Sequence, residues 1–340
     1  GVEPPMKISP TTGKETYALA KGDQGFLALC EHSNAFVQEL CAVRLGTKST
    51  IEETRIERFI GIAERNHNQL PIPLKYYGAH TGRWAGSDKV NFQNLPSRDK
   101  KQKALKNAKQ FERGEDVYSV FASKVYNKTQ VDKTERAVGK TCILGLGYGT
   151  GAKKLRDVLK INAGVEMTEE ATKRLVNLYR EVNHEVVKLW KECDCALRFM
   201  ASWPKDKPAY YLSKVNCVLV TPEGLKLPNG LYLRYPNLEL KNDGYTYTSR
   251  RGEINIWGGA IVENVVQALA RIVIGQQMTV IDTKYRPLLT VHDAVVCVAP
   301  EAEKYEALRF IMQTMNKAPS WAKGLPVTCE GNFGKNYGEC

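Results

Sequence analysis

The chain has 340 residues, 43% hydrophobic and 25% charged, a composition typical of a soluble globular protein with a substantial core. Its 49 lysines and arginines against 37 aspartates and glutamates give a net charge of +12, which favours a polyanionic partner, although a generic basic surface has the same balance. The nine cysteines contain no CxxC pair, so a zinc site and a disulfide framework are not expected. No apolar run approaches the length that crosses a bilayer, and the first 14 residues have no apolar stretch typical of a secretory signal, so a membrane partner is not expected either.

Helices and loops alternate in the first half of the chain. Residues 16–68 are predicted to be mainly helical, because leucine, valine and isoleucine recur among charged residues with few breakers. Prolines and glycines punctuate residues 70–98 and predict a polar, loop-rich connection. Helices are predicted again at 116–126 and 134–144.

The second half combines a long helix with short strands. Thr168, followed by two glutamates, begins a predicted amphipathic helix that reaches about Met200. Residues 204–258 predict strands with tight turns at 228–230 and 242–244. This mixture favours an α+β architecture of several subdomains over a doubly wound sheet.

A predicted helix at 263–278 is followed by LLTVHDAVVCVAP at 288–300, which predicts a hairpin with His292 and Asp293 at its turn. A carboxylate at that turn extends from a rigid sheet edge and could bind a divalent cation. Aspartate also favours turns for purely conformational reasons, and the hairpin alone does not separate the two interpretations.

Residues 134–149, TERAVGKTCILGLGYG, contain the most informative spacing. Arg136, Lys140, Leu144 and Tyr148 recur every fourth residue, which on a helix keeps them on one stripe that drifts by only ~40° per step. Two cations, an apolar residue and an aromatic before Gly149 could bind a polyphosphate at one end and a flat base at the other. An amphipathic surface helix with two solvated cations has the same periodicity.

The loop AHTGRWAGSDKVNFQNLPSR, residues 79–98, supplies hydrogen-bond donors of a second kind. Arg83 lies between glycine and tryptophan, and Gln93 and Asn94 follow in a polar stretch. Arginine and amide side chains donate to base edges or to the backbone of a duplex. The loop alone is weak support for nucleic-acid binding.

Four segments occur in order: TGRW…NFQNLPSR, GEDVYSVFASKVY, RAVGKTCILGLGYG and VHDAV. Together they closely resemble the family A DNA polymerases, the polymerase I type, and especially their bacteriophage replicative members, from about Pro5 to the C-terminus. The resemblance implies an α+β right-hand polymerase fold with a palm antiparallel sheet, helical fingers and a partial thumb. It implies a partial thumb at 1–60, palm at 61–108 and 259–340, and fingers at 109–258.

The resemblance also implies roles in nucleotide binding and catalysis. Arg136 and Lys140 would bind the triphosphate, with Lys140 also a candidate general acid for the leaving pyrophosphate. Tyr148 would guard the insertion site, and Leu144 would lie where the family often has an aromatic residue. Tyr118 stands where the family often has a phosphate-binding histidine, and its hydroxyl can still contact phosphate.

The implied DNA contacts and metal site involve a further set of residues. Asp293 would be a catalytic residue that ligates two Mg²⁺ ions, which promote in-line attack of a primer 3′-hydroxyl on the α-phosphate of a deoxynucleoside triphosphate. The residues implied to contact primer–template DNA are Arg83, Gln93, Asn94, Gly149, Gln267 and His292.

The chain departs from the family at its metal ligands. The second carboxylate of the V-H-D element is replaced by Ala294. The family's aspartate-bearing strand, motif A, belongs before the GEDVYSVF helix, but the chain runs through Ala108 and Lys109 without it. Either this segment is absent from the sequence as given or it was deleted. With Asp293 alone, the chain as written is expected to be a weak or inactive catalyst.

Three functions therefore remain open. The first is a DNA-directed DNA polymerase (a nucleotidyltransferase) acting in phage DNA replication in the host cytoplasm, with primer–template DNA, deoxynucleoside triphosphates and a processivity factor or helicase as partners. The second is a catalytically inactive polymerase-fold module that binds primer–template DNA. The third, a single-subunit phage RNA polymerase, fits the TGRW and YG elements less well.

Overall fold

The computed structural model describes residues 2–8, 14–19, 23–46, 58–62, 64, 74–75, 77–86, 116–213, 216–242, 244–250, 252–336 and 339. The chain divides into two compact units, Gly1–Pro71 and Ile72–Cys340. The finer division into thumb, palm and fingers stays a prediction. Gln93, Asn94 and the junction near Ala108 lie outside the described residues.

The first unit contains one small hairpin and two short helices. Strands β1 (Met6–Ile8) and β2 (Glu15–Tyr17) pair antiparallel. Helices α1 (Gln24–Cys30) and α2 (Ala35–Gly46) follow, and residues 58–62 are also helical. The predicted helical character of 16–68 is confirmed at these helices, whereas its first two residues belong to β2.

Five helices follow one another along the chain in the second unit. They are α3 (Val117–Tyr126), α4 (Lys133–Leu146), α5 (Ala152–Ala163), α6 (Glu169–Val182) and α7 (His184–Ala201). Side chains from α3 to α6, including the fully buried Leu146, Leu155, Leu159 and Tyr179, form their common core. The helix predicted over 168–200 is in fact two helices, because Asn183 leaves the helical conformation with φ −115° and ψ 44°.

Short antiparallel strands occupy the next part of this unit. Two strands, β3 (Leu74–Lys75) and β4 (Ala85–Gly86), flank the Arg83 loop. A four-stranded sheet contains β5 (Tyr210–Tyr211), β6 (Leu219–Thr221), β7 (Gly224–Lys226) and β8 (Tyr232–Leu233). A three-stranded sheet contains β9 (Glu239–Lys241), β10 (Gly244–Ser249) and β11 (Gly252–Ile256). Both predicted turns join neighbouring strands: Gly230, at φ 82°, and Asn242, at φ 47°, take the left-handed conformation that such turns need.

A long helix connects these sheets to the last hairpin. Helix α8 (Gly258–Ile281) begins five residues before its predicted start and packs against α7. Strands β12 (Pro287–Val291) and β13 (Ala294–Cys297) then form the predicted hairpin, followed by α9 (Lys304–Met315).

The expectation that no apolar run reaches membrane-spanning length is wrong for α8. Gly258–Ile281 is long and apolar enough by length and composition, and 44% of its most apolar stretch is buried inside the protein. Its buried side chains, among them Ile261, Val262 and Ala268, belong to the core that α7 and the sheets share. This packing is that of a core helix, which explains its apolar composition.

Candidate functional site

The stripe predicted at Arg136, Lys140 and Leu144 lies on α4. The helix begins at Asp132, whose side chain accepts the N–H groups of Thr134 and Glu135, while the Glu135 carboxylate accepts the Asp132 N–H in return. Arg136 is exposed, Lys140 is half-buried, and Leu144 is half-buried against the helical core. The helix therefore presents two cations toward solvent at its N-terminal half.

Arg136 is held by an aspartate that the sequence reasoning missed. Its Nε donates to Asp116 Oδ2 at 2.5 Å and its Nη2 donates to Asp116 Oδ1 at 3.2 Å. The Tyr118 ring centroid lies 5.3 Å from the guanidinium carbon, and this ring is buried. Arg136 and Tyr118, both predicted near phosphate, are thus neighbours.

Asp116 also forms the N-cap of α3. It accepts the Tyr118 N–H at 3.3 Å and the Ser119 hydroxyl at 2.6 Å. Burial raises the pKa of the Asp116 carboxyl, but the hydrogen bonds from Arg136, Ser119 and the Tyr118 N–H, with the charge of Arg136, outweigh burial and lower it. The carboxylate is therefore ionised at neutral pH.

Tyr148 lies two residues beyond the end of α4, so the fourth member of the predicted stripe is not on the helix. The chain leaves the helix through turns in which Tyr148 N–H donates to Gly145 and Gly149 N–H donates to Leu146. Gly149 has φ 81°, a conformation that favours glycine. The Trp190 indole on α7 donates to the Gly147 carbonyl at 3.2 Å and fixes this turn against the neighbouring helix.

The turn after α4 contacts the start of α8 without intervening side chains. A Cβ at Gly259 would lie 2.5 Å from the Tyr148 carbonyl oxygen, and a Cβ at Gly258 would overlap the Trp190 carbonyl oxygen. Asp194 Oδ1 accepts the Gly258 N–H at 2.5 Å, which places an anion at the N-terminus of α8. The two glycines therefore allow the backbones to approach closely.

Glu263 on α8 hydrogen-bonds to Gln267 and acts electrostatically on the Tyr148 hydroxyl. Burial first, and the charge of Glu263 second, raise the pKa of the Tyr148 hydroxyl. Glu263 Oε1 accepts from Gln267 Nε2 at 3.1 Å. The sequence reasoning missed Glu263, although its spacing of four from Gln267 on a predicted helix was an available signal.

Arg83 is exposed and lies in the loop between β3 and β4, two residues before β4 begins. The loop is anchored by His80, whose ring lies 5.2 Å from that of Tyr235 and 5.8 Å from that of Tyr247. The Tyr235 hydroxyl in turn accepts from Asn264 on α8 at 3.2 Å. Arg83 is therefore carried by a loop that is packed against the same helix as Gln267.

His292 and Asp293 form the turn of the β12–β13 hairpin, and both are exposed. His292 has φ 56°, as tight two-residue hairpin turns require. Within the described part of the chain, no group of three or more His, Cys, Asp or Glu side chains could hold a metal ion. The described residues therefore do not complete a metal site at Asp293, and two Mg²⁺ ions stay a prediction.

Two comparisons with known proteins bear on this arrangement. No family model matches the chain. The DNA polymerase of Bacillus phage SP02 is 31% identical over 218 residues, which cover 58% of this chain and 31% of that protein. The polymerase domain of Pol1 from M. smegmatis, in complex with DNA primer-template and dNTP, has a TM-score of 0.64 and 19% identity over 97% of this chain and 57% of that one.

Both similarities support the predicted polymerase region of the family A type, and the likeness to the Pol1 domain shows its fold. It spans about a third of the length of its phage relative. The α+β polymerase fold predicted from the four motifs is confirmed. In the polymerase region, the individual roles of the site residues stay predictions, and Gln93 and Asn94 lie outside the described residues.

Proposed function

We propose that the polymerase region is part of a DNA-directed DNA polymerase, which adds deoxynucleotides to a primer 3′ end under the direction of a template. One observation carries the proposal. The turn after the cationic helix α4, which carries Tyr148, contacts the start of α8, the helix on which Glu263 accepts a hydrogen bond from Gln267. The phage relative and the Pol1 domain support the same function, since both are polymerases by name.

The nucleotide would bind along α4. Arg136 donates to phosphate oxygens in a planar, bidentate geometry, and Lys140, one turn along, supplies a point charge. Leu144 and Tyr148 would contact the base and sugar, and the Tyr118 hydroxyl could reach a phosphate. Lys140 is also our candidate for protonating the leaving pyrophosphate.

Primer–template DNA would bind across α8 and the Arg83 loop. The net charge of +12 suits a phosphate backbone. The proposed DNA contacts are Arg83, Gly149, Gln267 and His292, together with Gln93 and Asn94. We place the intact protein in phage DNA replication in the host cytoplasm, where a processivity factor or helicase would assist it.

Asp293 is the proposed catalytic carboxylate, but it does not hold two divalent cations by itself. A single aspartate neutralises one unit of charge, and hard divalent cations take several oxygen ligands. The remaining ligands would come from outside the described residues. If none exists in the intact protein, the second function applies, that of a module that binds primer–template DNA without synthesis.

A primer-extension assay tests the proposal. The intact full-length protein is incubated with a labelled primer, defined templates, Mg²⁺ and single deoxynucleoside triphosphates, and we expect extension only by the nucleotide complementary to the template. Asp293→Asn should abolish extension while sparing duplex binding, and Asp157→Asn, which changes a half-buried carboxylate on α5, is the matched control. Tight duplex binding without extension by the intact wild-type protein would contradict the polymerase activity.

A further inference from the structure

The pair between Asp116 and Arg136 engages one edge of the guanidinium only. The carboxylate accepts from Nε and Nη2, at 2.5 and 3.2 Å. The opposite edge, formed by Nη1 and the second hydrogen of Nη2, takes no part in that contact. A guanidinium can therefore keep this carboxylate and bind a phosphate at the same time.

Asp116 is itself firmly held. Each of its oxygens accepts one hydrogen bond from Arg136 and one from the first turn of α3, through the Tyr118 N–H and the Ser119 hydroxyl. The Tyr118 ring, which is buried in the helical core, lies against the guanidinium from another direction. A flexible four-torsion side chain is thus restrained along one edge and over one face.

The pair is better suited to orientation than to stability. The side chains of Arg136 and Asp116 are 45% and 38% exposed, and ion pairs this open to solvent stabilise a fold very little. Holding a long side chain in its binding geometry before the ligand arrives removes an entropic cost from the binding step. We therefore expect the pair between Arg136 and Asp116 to strengthen ligand binding more than it stabilises the fold.

We propose that Asp116 is a positioning residue for the incoming nucleotide, which holds Arg136 with its Nη1–Nη2 edge ready for the triphosphate. The inference rests on the proposed function, because it takes Arg136 as a triphosphate ligand. Asp116 acts through Arg136 and touches no substrate itself.

Equilibrium binding of a nucleotide tests this role without synthesis. The full chain is bound to a fluorescent primer–template whose primer ends in a dideoxynucleotide, and the next complementary deoxynucleoside triphosphate is titrated. Asp116→Asn keeps a side-chain oxygen for the α3 N-cap but loses the charge pair. We expect its Kd for the nucleotide to rise about threefold to tenfold, or about 0.7 to 1.4 kcal/mol. Glu169→Gln, which removes the Lys173 pair on α6, should leave the Kd unchanged.

A double-mutant cycle separates positioning from a general charge effect. In the Arg136→Ala background no guanidinium remains to be oriented, so Asp116→Asn should weaken nucleotide binding no further. Equal or tighter binding by Asp116→Asn alone would overturn the inference, as would the same weakening in both backgrounds or a wild-type chain that binds no nucleotide. A wild-type chain that binds nucleotide with the expected variant effects but fails to extend a primer contradicts the proposed function alone.

Discussion

The guanidinium of Arg136 is positioned by residues that lie far from it in sequence. Spacing within 134–149 predicted the helix and its cationic face, and both are confirmed in α4. No local pattern predicts Asp116, because 20 positions separate it from Arg136 and the two meet only when α3 packs on α4. For Tyr148 the local pattern was misleading. Its spacing fits the stripe, but α4 ends at Leu146 and Tyr148 lies in the turn that follows.

The ion pair of Asp116 should respond to acid in a defined direction. Its native pKa lies below the ordinary value of 3.8, so its stabilising effect is complete above that value and is lost as the pH falls toward the native pKa. We expect wild type to exceed Asp116→Asn by less than about 1 kcal/mol in unfolding free energy at about pH 6, and we expect this difference to shrink as the solution is acidified below pH 3.8. Urea denaturation across this pH range measures the difference, and an increase on acidification would contradict the assignment.

The crossing of α3 and α4 depends on a single missing methyl group. A Cβ at Gly139 would overlap the Tyr118 carbonyl oxygen and lie 2.9 Å from the Ala122 Cβ, whereas a Cβ at Gly145 on the same helix would meet nothing nearer than 3.9 Å. Glycine is a poor helix former, so the sequence alone predicts that alanine stabilises either position. Only the packing distinguishes them.

Alanine substitutions at these two glycines should therefore have opposite effects. Gly139→Ala forces α3 and α4 apart and should lower the unfolding free energy by about 1 to 3 kcal/mol. Gly145→Ala should raise it by about 0.5 to 1 kcal/mol, through the lower entropy of its unfolded chain. Chemical denaturation of both variants gives the comparison. Equal changes at the two positions would mean that the helices do not cross at Gly139.

The start of a helix could be predicted where the sequence has a side chain that caps it. Thr168 caps α6 and accepts the Ala171 N–H at 3.2 Å, as its sequence pattern indicated. The break at Asn183 was not predictable, because apolar residues continue at helical spacing across it and no glycine or proline marks it. Helix α5 was also missed, since its N-cap is Gly151 and no side chain caps it.

At the scale of the whole molecule, the motifs predicted the fold, whereas the contacts between distant segments came only from the structure. The His80 ring meets Tyr235 and Tyr247, residues more than 150 positions later, and no spacing rule predicts that contact. The predicted metal site also shows how far the motifs reach. The V-H-D element predicted one carboxylate, but no described neighbour completes a cluster with it.

The net charge of +12 predicts that binding of primer–template DNA weakens as the salt concentration rises. If binding of primer–template DNA neutralises four or more phosphates, the Kd should rise at least about 100-fold between 50 and 200 mM salt. Fluorescence anisotropy of a labelled duplex, titrated with the full chain at several salt concentrations, gives the slope. A Kd that is nearly independent of salt would mean that the basic surplus lies away from the DNA.

The contact of Tyr148 with Gly259 also determines which segments of this fold can be exchanged together. Because no side chain separates the two backbones, the turn after α4 and the first turn of α8 pack in direct contact, with no room for an added methyl group at Gly259. A chimera that imports the fingers of another polymerase while keeping this α8 would pair surfaces that were never matched. An exchange that preserves this contact must therefore transfer two separate segments together, residues 116–149 and residues 257–267.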